Sequence, residues 1–117
     1  MPRKKLRVAA CQMLAGEDIE HNTQHIVDRL RHCASEGVDV AAFHEGVLYG
    51  YSCRPSFWSR FDQKRIEKSE RRIVRVCKEK GIGCVVGSTH VEEGGRYNSL
   101  LVIDNDGTVL GRYGKIH

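Results

Sequence analysis

Val38-Asp39-Val40-Ala41-Ala42-Phe43-His44-Glu45-Gly46-Val47-Leu48-Tyr49-Gly50-Tyr51 is the stretch whose reading decides the fold. Its first half is a short apolar run with alanine and valine on both faces, the pattern of a strand buried on both sides in an α/β sheet. An acid follows directly. A carboxylate carried by such a strand to its carboxyl edge, with a glycine-punctuated aromatic loop after it, stands where open α/β sheets hold their ligands. Glu45 is costly there unless it meets a cation, a hydrogen-bond donor or a substrate. Lys115 is the conspicuous cation for the purpose.

Upstream, residues 6–13 read as a first strand, and Asp18 caps a helix that runs to about Glu36 and stops at Gly37. At about 100° per residue, Ile19, Ile26, Leu30, Cys33 and Ala34 share the face that covers the sheet. Strand, helix and strand in this order form a βαβ unit with parallel strands. Downstream, residues 46–61 form a loop carrying Tyr49, Tyr51, Phe57 and Trp58, long for mere connection and placed where binding loops sit. Asp62 then caps a second helix to Lys80, stopped by Gly81, with Ile66, Ile73 and Cys77 as a narrow apolar stripe. Strands over 83–90, 96–104 and 108–113, joined by Glu92-Glu93-Gly94-Gly95 and Asn105-Asp106-Gly107, make a meander. A βαβ half followed by a meander predicts a mixed sheet with one edge or face left bare.

With 117 residues, 40% apolar and 29% charged, the chain has the composition of one globular domain with a real core rather than of a disordered segment. Nineteen basic against fifteen acidic residues give +4, an excess that suits anionic partners without requiring them, and nothing in it supports nucleic acid. Five cysteines, an odd number without C-x-x-C or finger spacing, read as free thiols in a reducing compartment. Arg3-Lys4-Lys5 before Val8-Ala9-Ala10-Cys11 imitates a lipoprotein leader, but the apolar part is short and broken by Arg7. No run approaches a membrane span, so a cytoplasmic, soluble protein is expected.

Two polar stripes invite functional readings. His21, His25, Asp28 and His32 share a helical face, which suggests a metal, but that face lies opposite the apolar one and no further ligand is supplied; no metal is expected. Lys64, Lys68, Arg71, Arg75 and Lys78 line the outward face of the second helix with Glu67, Glu70 and Glu79 among and beside them. Without interleaved aromatics this is a charge-laced surface helix.

The segments Asp39 to Tyr51 and Tyr97-Asn98-Ser99-Leu100-Leu101-Val102-Ile103-Asp104 through Gly111-Arg112-Tyr113 and Lys115-Ile116-His117 resemble the nitrilase superfamily of carbon-nitrogen hydrolases. Ala9-Ala10-Cys11-Gln12, Asn22, Gly37-Val38-Asp39 and Gly87-Ser88 are similar to further pieces of its pattern, in order along the chain. His44 departs from it, since the family usually has proline before the glutamate.

The resemblance implies an α/β fold, an incomplete αββα sandwich of the carbon-nitrogen hydrolase type, its mixed sheet covered on one face by two helices. It implies a Glu-Lys-Cys site that hydrolyses a non-peptide amide, an N-carbamoyl compound or a nitrile, without metal or organic cofactor, in subunits that pair when full length. By match to the motif, Glu45 is the general base and Lys115 the cation facing the tetrahedral oxyanion. A thiol near pKa 8.5 needs such a base, and a fixed donor at the oxyanion is typically worth about 3–4 kcal/mol. From the loop itself, Tyr51, Phe57 and Trp58 are the candidate pocket walls, with core packing as the equal alternative.

The family's nucleophilic cysteine follows the lysine motif, and none follows it in this sequence. Cys53 is the only cysteine near the expected pocket and matches no nucleophile position; Cys11 and Cys84 fall in strands as core thiols. The expectation is therefore an N-terminal portion of a hydrolase domain, inactive by itself. The alternatives are a non-catalytic interaction protein and a small basic binding module derived from the family.

Overall fold

The computed structural model describes residues 5–115; Arg3 and Lys4 of the basic run and Ile116 and His117 of the closing motif lie outside it. The chain runs β1 (Val8–Cys11), α1 (Ile19–Ser35), β2 (Val40–Phe43), α2 (Pro55–Ser59), α3 (Gln63–Lys80), β3 (Gly83–Glu92), β4 (Gly95–Ile103) and β5 (Val109–Gly114). The five strands lie in one sheet in sequence order. β1, β2 and β3 are parallel, whereas β4 and β5 are added antiparallel, which makes the expected mixed sheet. Because β1, β2 and β3 advance in one direction, right-handed crossovers carry α1 and α3 to the same face. The two helices meet there through the buried hydroxyls of Thr23 and Ser69, 2.8 Å apart.

Helix ends are where the sequence puts them. The Asp18 side chain accepts from the His21 amide and Asp62 from the Lys64 amide, both at 3.0 Å, and Gly81 closes α3 in the left-handed conformation that glycine adopts without strain. Between α1, α3 and the sheet sits the core, including Ile26, Leu30, Ile66, Ile73, Val86, Leu101 and Ile103.

Three features differ from the sequence-based expectation. First, β2 is not buried on both sides: Ala41 and Phe43 are covered, while Val40 and Ala42 are half-buried and the neighbouring Val8 of β1 is 57% exposed. Both crossover helices went to one face, so among the described residues the other face shows apolar side chains such as Leu100 and Tyr113 to solvent. Second, the aromatic loop contains the short helix α2, started by Pro55 in its first turn. Third, Glu70 is not part of the outward charge stripe. It turns inward and is buried, whereas Lys64, Lys68, Arg71, Arg75 and Lys78 are exposed.

One close approach fixes the segment after β2. A Cβ on Gly87 of β3 would lie 2.4 Å from both the His44 carbonyl oxygen and the Gly46 nitrogen, backbone atoms that have no room to retreat. Only glycine lets β3 pass the turn that follows Glu45, and the Leu48 amide then donates to the Gly87 carbonyl at 3.2 Å. Gly87→Ala is therefore expected to cost about 2–3 kcal/mol, as overpacking against fixed atoms does, measured as a lowered urea midpoint; an unchanged midpoint would contradict the close approach.

Candidate active site

The sheet topology brings the two candidate charges to one edge. β5 lies antiparallel to β4, which lies antiparallel to β3, so β5 points the same way as β2 and their carboxyl ends share an edge with the beginning of β4. Glu45 leaves the end of β2, Lys115 follows β5, and Asn98 stands near the start of β4. Lys115 Nζ donates to Glu45 Oε1 at 3.0 Å, and Asn98 Nδ2 donates to the same oxygen at 2.5 Å. Both charged side chains are nearly half exposed, at 43% and 46%.

The carboxylate is aimed by a chain of donors. The Tyr49 hydroxyl donates to Asn98 Oδ1 at 2.7 Å, which leaves the amide nitrogen to face Glu45. Burial first, and the neighbouring Tyr51 and Glu45 after it, push the Tyr49 phenol well above its ordinary range, so it stays a donor. The Lys115 amide is itself tied to the Asn98 carbonyl at 2.8 Å. The Lys115 ammonium is raised in pKa by its hydrogen bond to Glu45 and then by one to Tyr51.

Beneath the site the turn of residues 44–51 is stapled on several sides. Asn22, with no exposed surface, donates to the carbonyls of Leu48 at 3.0 Å and Gly16 at 2.7 Å and accepts from the Gly16 amide at 3.1 Å. His44 occupies the position where the resembled pattern has proline, and its ring nitrogens lie 2.9 Å from the Met13 carbonyl oxygen and 3.0 Å from that of Glu45. A side chain thus restrains the backbone that a pyrrolidine ring would restrain.

The three candidate wall residues separate. Tyr51, held in the left-handed region with φ 51°, has its ring centre 5.9 Å from Lys115 Nζ. Trp58 packs edge-on to Tyr49 and Phe57, donates from Nε1 to the Ser52 carbonyl at 2.7 Å and carries the Arg96 guanidinium 4.5 Å from its ring centre. Phe57 borders a separate hollow of about 300 Å³ with Glu17, Arg54 and Arg60. The hollow beside the charged pair, of about 460 Å³, is lined by Glu45, Asn98, Lys115, Phe43, Leu100 and Tyr113, among others.

Sequence reading missed Leu100 and Tyr113 as lining, although their alternation with the inward Leu101 and Arg112 was the available signal. Tyr49 and the pair of buried Glu70 with half-buried Arg112 were missed too, and no spacing rule would have found them.

None of the five cysteines is among the residues that line this hollow. Cys33, Cys77 and Cys84 are buried, and Cys11 Sγ is 3.9 Å from Cys33 Sγ. Burial, then the neighbouring Cys33, push the Cys11 thiol up to about 11, and the hydrogen bond to Cys77 followed by burial raises Cys84 well above the ordinary thiol range. Thiols held protonated in this way are poor nucleophiles. Cys53 is exposed on the loop, with its sulfur 3.9 Å from the Tyr51 carbonyl oxygen. Among the described residues no three or more histidine, cysteine or acidic side chains are arranged to hold a metal ion, and His21, His25, Asp28 and His32 are exposed on α1. No helix among the described residues is long and apolar enough to cross a membrane.

The carbon-nitrogen hydrolase family model matches residues 7–117, and the chain belongs to that family. It is 26% identical to an N-carbamoylputrescine amidase of Arabidopsis thaliana over 98% of this chain and 40% of the relative. It is 28% identical to an omega-amidase of Xenopus tropicalis over 97% of this chain and 41% of the relative. The chain thus spans about two fifths of the length of these relatives. Among solved structures, an amidase from Nesterenkonia sp. AN1 in complex with acrylamide superposes with a TM-score of 0.87 at 23% identity, over 100% of this chain and 45% of that one. That likeness shows the fold.

Two outcomes are expected. In labelled protein the Lys115 side chain should titrate above ordinary lysines by NMR, and Glu45→Gln should return it toward them. Since the folded value is the higher one, the contribution of the lysine's protonation to stability is complete below the unfolded lysine pKa and is lost as pH rises through the folded value, above about pH 10. An unshifted lysine in the wild type would contradict the contact. Under native conditions a thiol reagent should label Cys53 first, with Cys33, Cys77 and Cys84 reacting only in denaturant; simultaneous labelling of all would contradict their burial.

Proposed function

We propose that this chain supplies the base and the oxyanion cation of a carbon-nitrogen hydrolase acting on a non-peptide amide, an N-carbamoyl compound or a nitrile. The thiol of the Glu-Lys-Cys mechanism comes, in this reading, from polypeptide that follows Lys115. The observation that carries it is the 3.0 Å contact of Glu45 and Lys115 at the carboxyl edge of the sheet, inside a small hollow. Exposed ion pairs add little to stability, so a pair aimed by Asn98 and Tyr49 is better explained by chemistry than by folding.

The steps follow from the groups present. Glu45 takes the proton of the thiol as sulfur attacks the carbonyl carbon, and the carbonyl electron pair moves to oxygen, where the Lys115 ammonium faces it. Collapse breaks the C–N bond, and the proton on Glu45 passes to the departing nitrogen. Water, deprotonated by Glu45, then adds to the thioester carbonyl, and collapse breaks the C–S bond as the Glu45 proton returns to sulfur and the acid leaves. The two relatives named above are amidases, which supports an amide or carbamoyl group, and in one Nesterenkonia amidase structure acrylamide has added to the active-site cysteine.

Tyr51 and Tyr113 are the walls we assign to the substrate, with Trp58 and Phe57 acting from behind Tyr49. The five free thiols support a reducing, cytoplasmic setting, and the apolar open face of the sheet supports pairing of subunits.

The test compares residues 1–117 with the same chain extended through a downstream cysteine, on a panel of small amides, N-carbamoyl amines and nitriles. The extended form is expected to release ammonia or amine, the short form nothing above background. Lys115→Ala should lower kcat/KM by about 10²–10³ and Glu45→Gln by about 10²–10⁴. Turnover by the short form, or turnover indifferent to Glu45→Gln, would overturn the reading.

A further inference from the structure

Glu70 and Arg112 have no part in that chemistry, yet they form the least exposed ion pair among the described residues, with side chains 10% and 27% exposed. Arg112 donates to both carboxylate oxygens, at 2.7 and 2.8 Å, and the Ser88 hydroxyl donates to Glu70 Oε2 at 2.5 Å. A third contact of Arg112 runs to the Ser99 hydroxyl at 3.4 Å. Burying an ion pair gains little over apolar packing of the same volume, and its best-attested use is to fix a register.

β5 needs such a device. Among the described residues it is bonded to β4 alone, and Gly111 and Gly114 offer no side chain to tell one face from the other. Its ladder is also irregular: Val102 pairs with Gly111 but Ile103 with Val109, so Leu110 is an extra residue. Glycine-rich strands leave register weakly specified, and a glycine inside a strand gives it no side chain to pack. A shift of the strand by one residue sends every side chain after the irregularity to the opposite face. Tyr113 and Lys115 would then leave the hollow that holds Glu45 and turn toward the helices.

We infer that the Glu70–Arg112 pair is a register lock: by holding Arg112 on the α3 side, it keeps Lys115 on the Glu45 side. Both are positioning residues. The value of that position rests on the function proposed above; the register itself does not, and can be read without activity.

The measurement is NMR on the labelled chain, following the cross-strand contact of Leu100 with Tyr113 and the amides of Gly111, Gly114 and Lys115. The paired replacement Glu70→Leu/Arg112→Met is expected to unfold at no lower denaturant concentration than wild type. It should nonetheless show a second set of these amides, with loss of the Leu100–Tyr113 contact in that set and a population at least about tenfold above wild type. Glu70→Gln, which keeps the volume and one acceptor, should show the same set at lower population, and it decides the matter if the paired replacement does not fold. A folded variant with one set of resonances and the wild-type contact overturns the lock. Wild type with an intact Leu100–Tyr113 contact but Lys115 turned from Glu45 would instead sink the functional reading.

Discussion

A carboxylate and an ammonium that stand half in water do not hold each other in place. Water screens their attraction, and each long side chain loses freedom in keeping the contact. The 3.0 Å approach of Glu45 and Lys115 must therefore be imposed by what surrounds it. Asn98 fixes the shared oxygen, Tyr49 fixes Asn98, and the backbone carrying Glu45 is wedged between Gly87 and the buried Asn22. Each of these restraints is more buried than the group it serves, which is how a site can be open to a small molecule and still keep its geometry.

How much of this was legible in the sequence depended on how local the determinant was. Caps at Asp18 and Asp62, the stop at Gly81 and the turns of the meander are set by nearest neighbours, and they stand where the residues predict them. The mixed sheet followed from element order alone. Glu45 and Lys115 are seventy positions apart, and no periodicity relates them; family resemblance named both, and only the strand directions explain why they meet. Glu70 was read as surface because its helix is charged nearly all round, and what turns it inward is Arg112 on a strand forty-two positions away. The two-sided burial expected of Val40 and Ala42 failed for a related reason. Composition shows that a strand tolerates cover on both faces, but which face receives cover is decided by the hand of the crossovers.

The two faces of the sheet consequently have different work. Toward α1 and α3 lie the large aliphatic side chains, the core thiols and the buried ion pair, and folding energy is concentrated there. Toward the open face lie Leu100, Tyr113 and the hollow with Glu45 and Lys115. β5 is the strand on which both faces make demands at once, since Arg112 points into one and Tyr113 into the other. In a strand with paired neighbours on both sides such a division would be secured by the ladder. At an edge, with an irregularity and two glycines, the backbone alone does not secure it, so the side chain on the folding face must decide where the side chain on the chemical face stands. The partly buried salt bridge is thus better understood as information than as stability: it distinguishes two pairings of β5, and only one of them presents a lysine to Glu45.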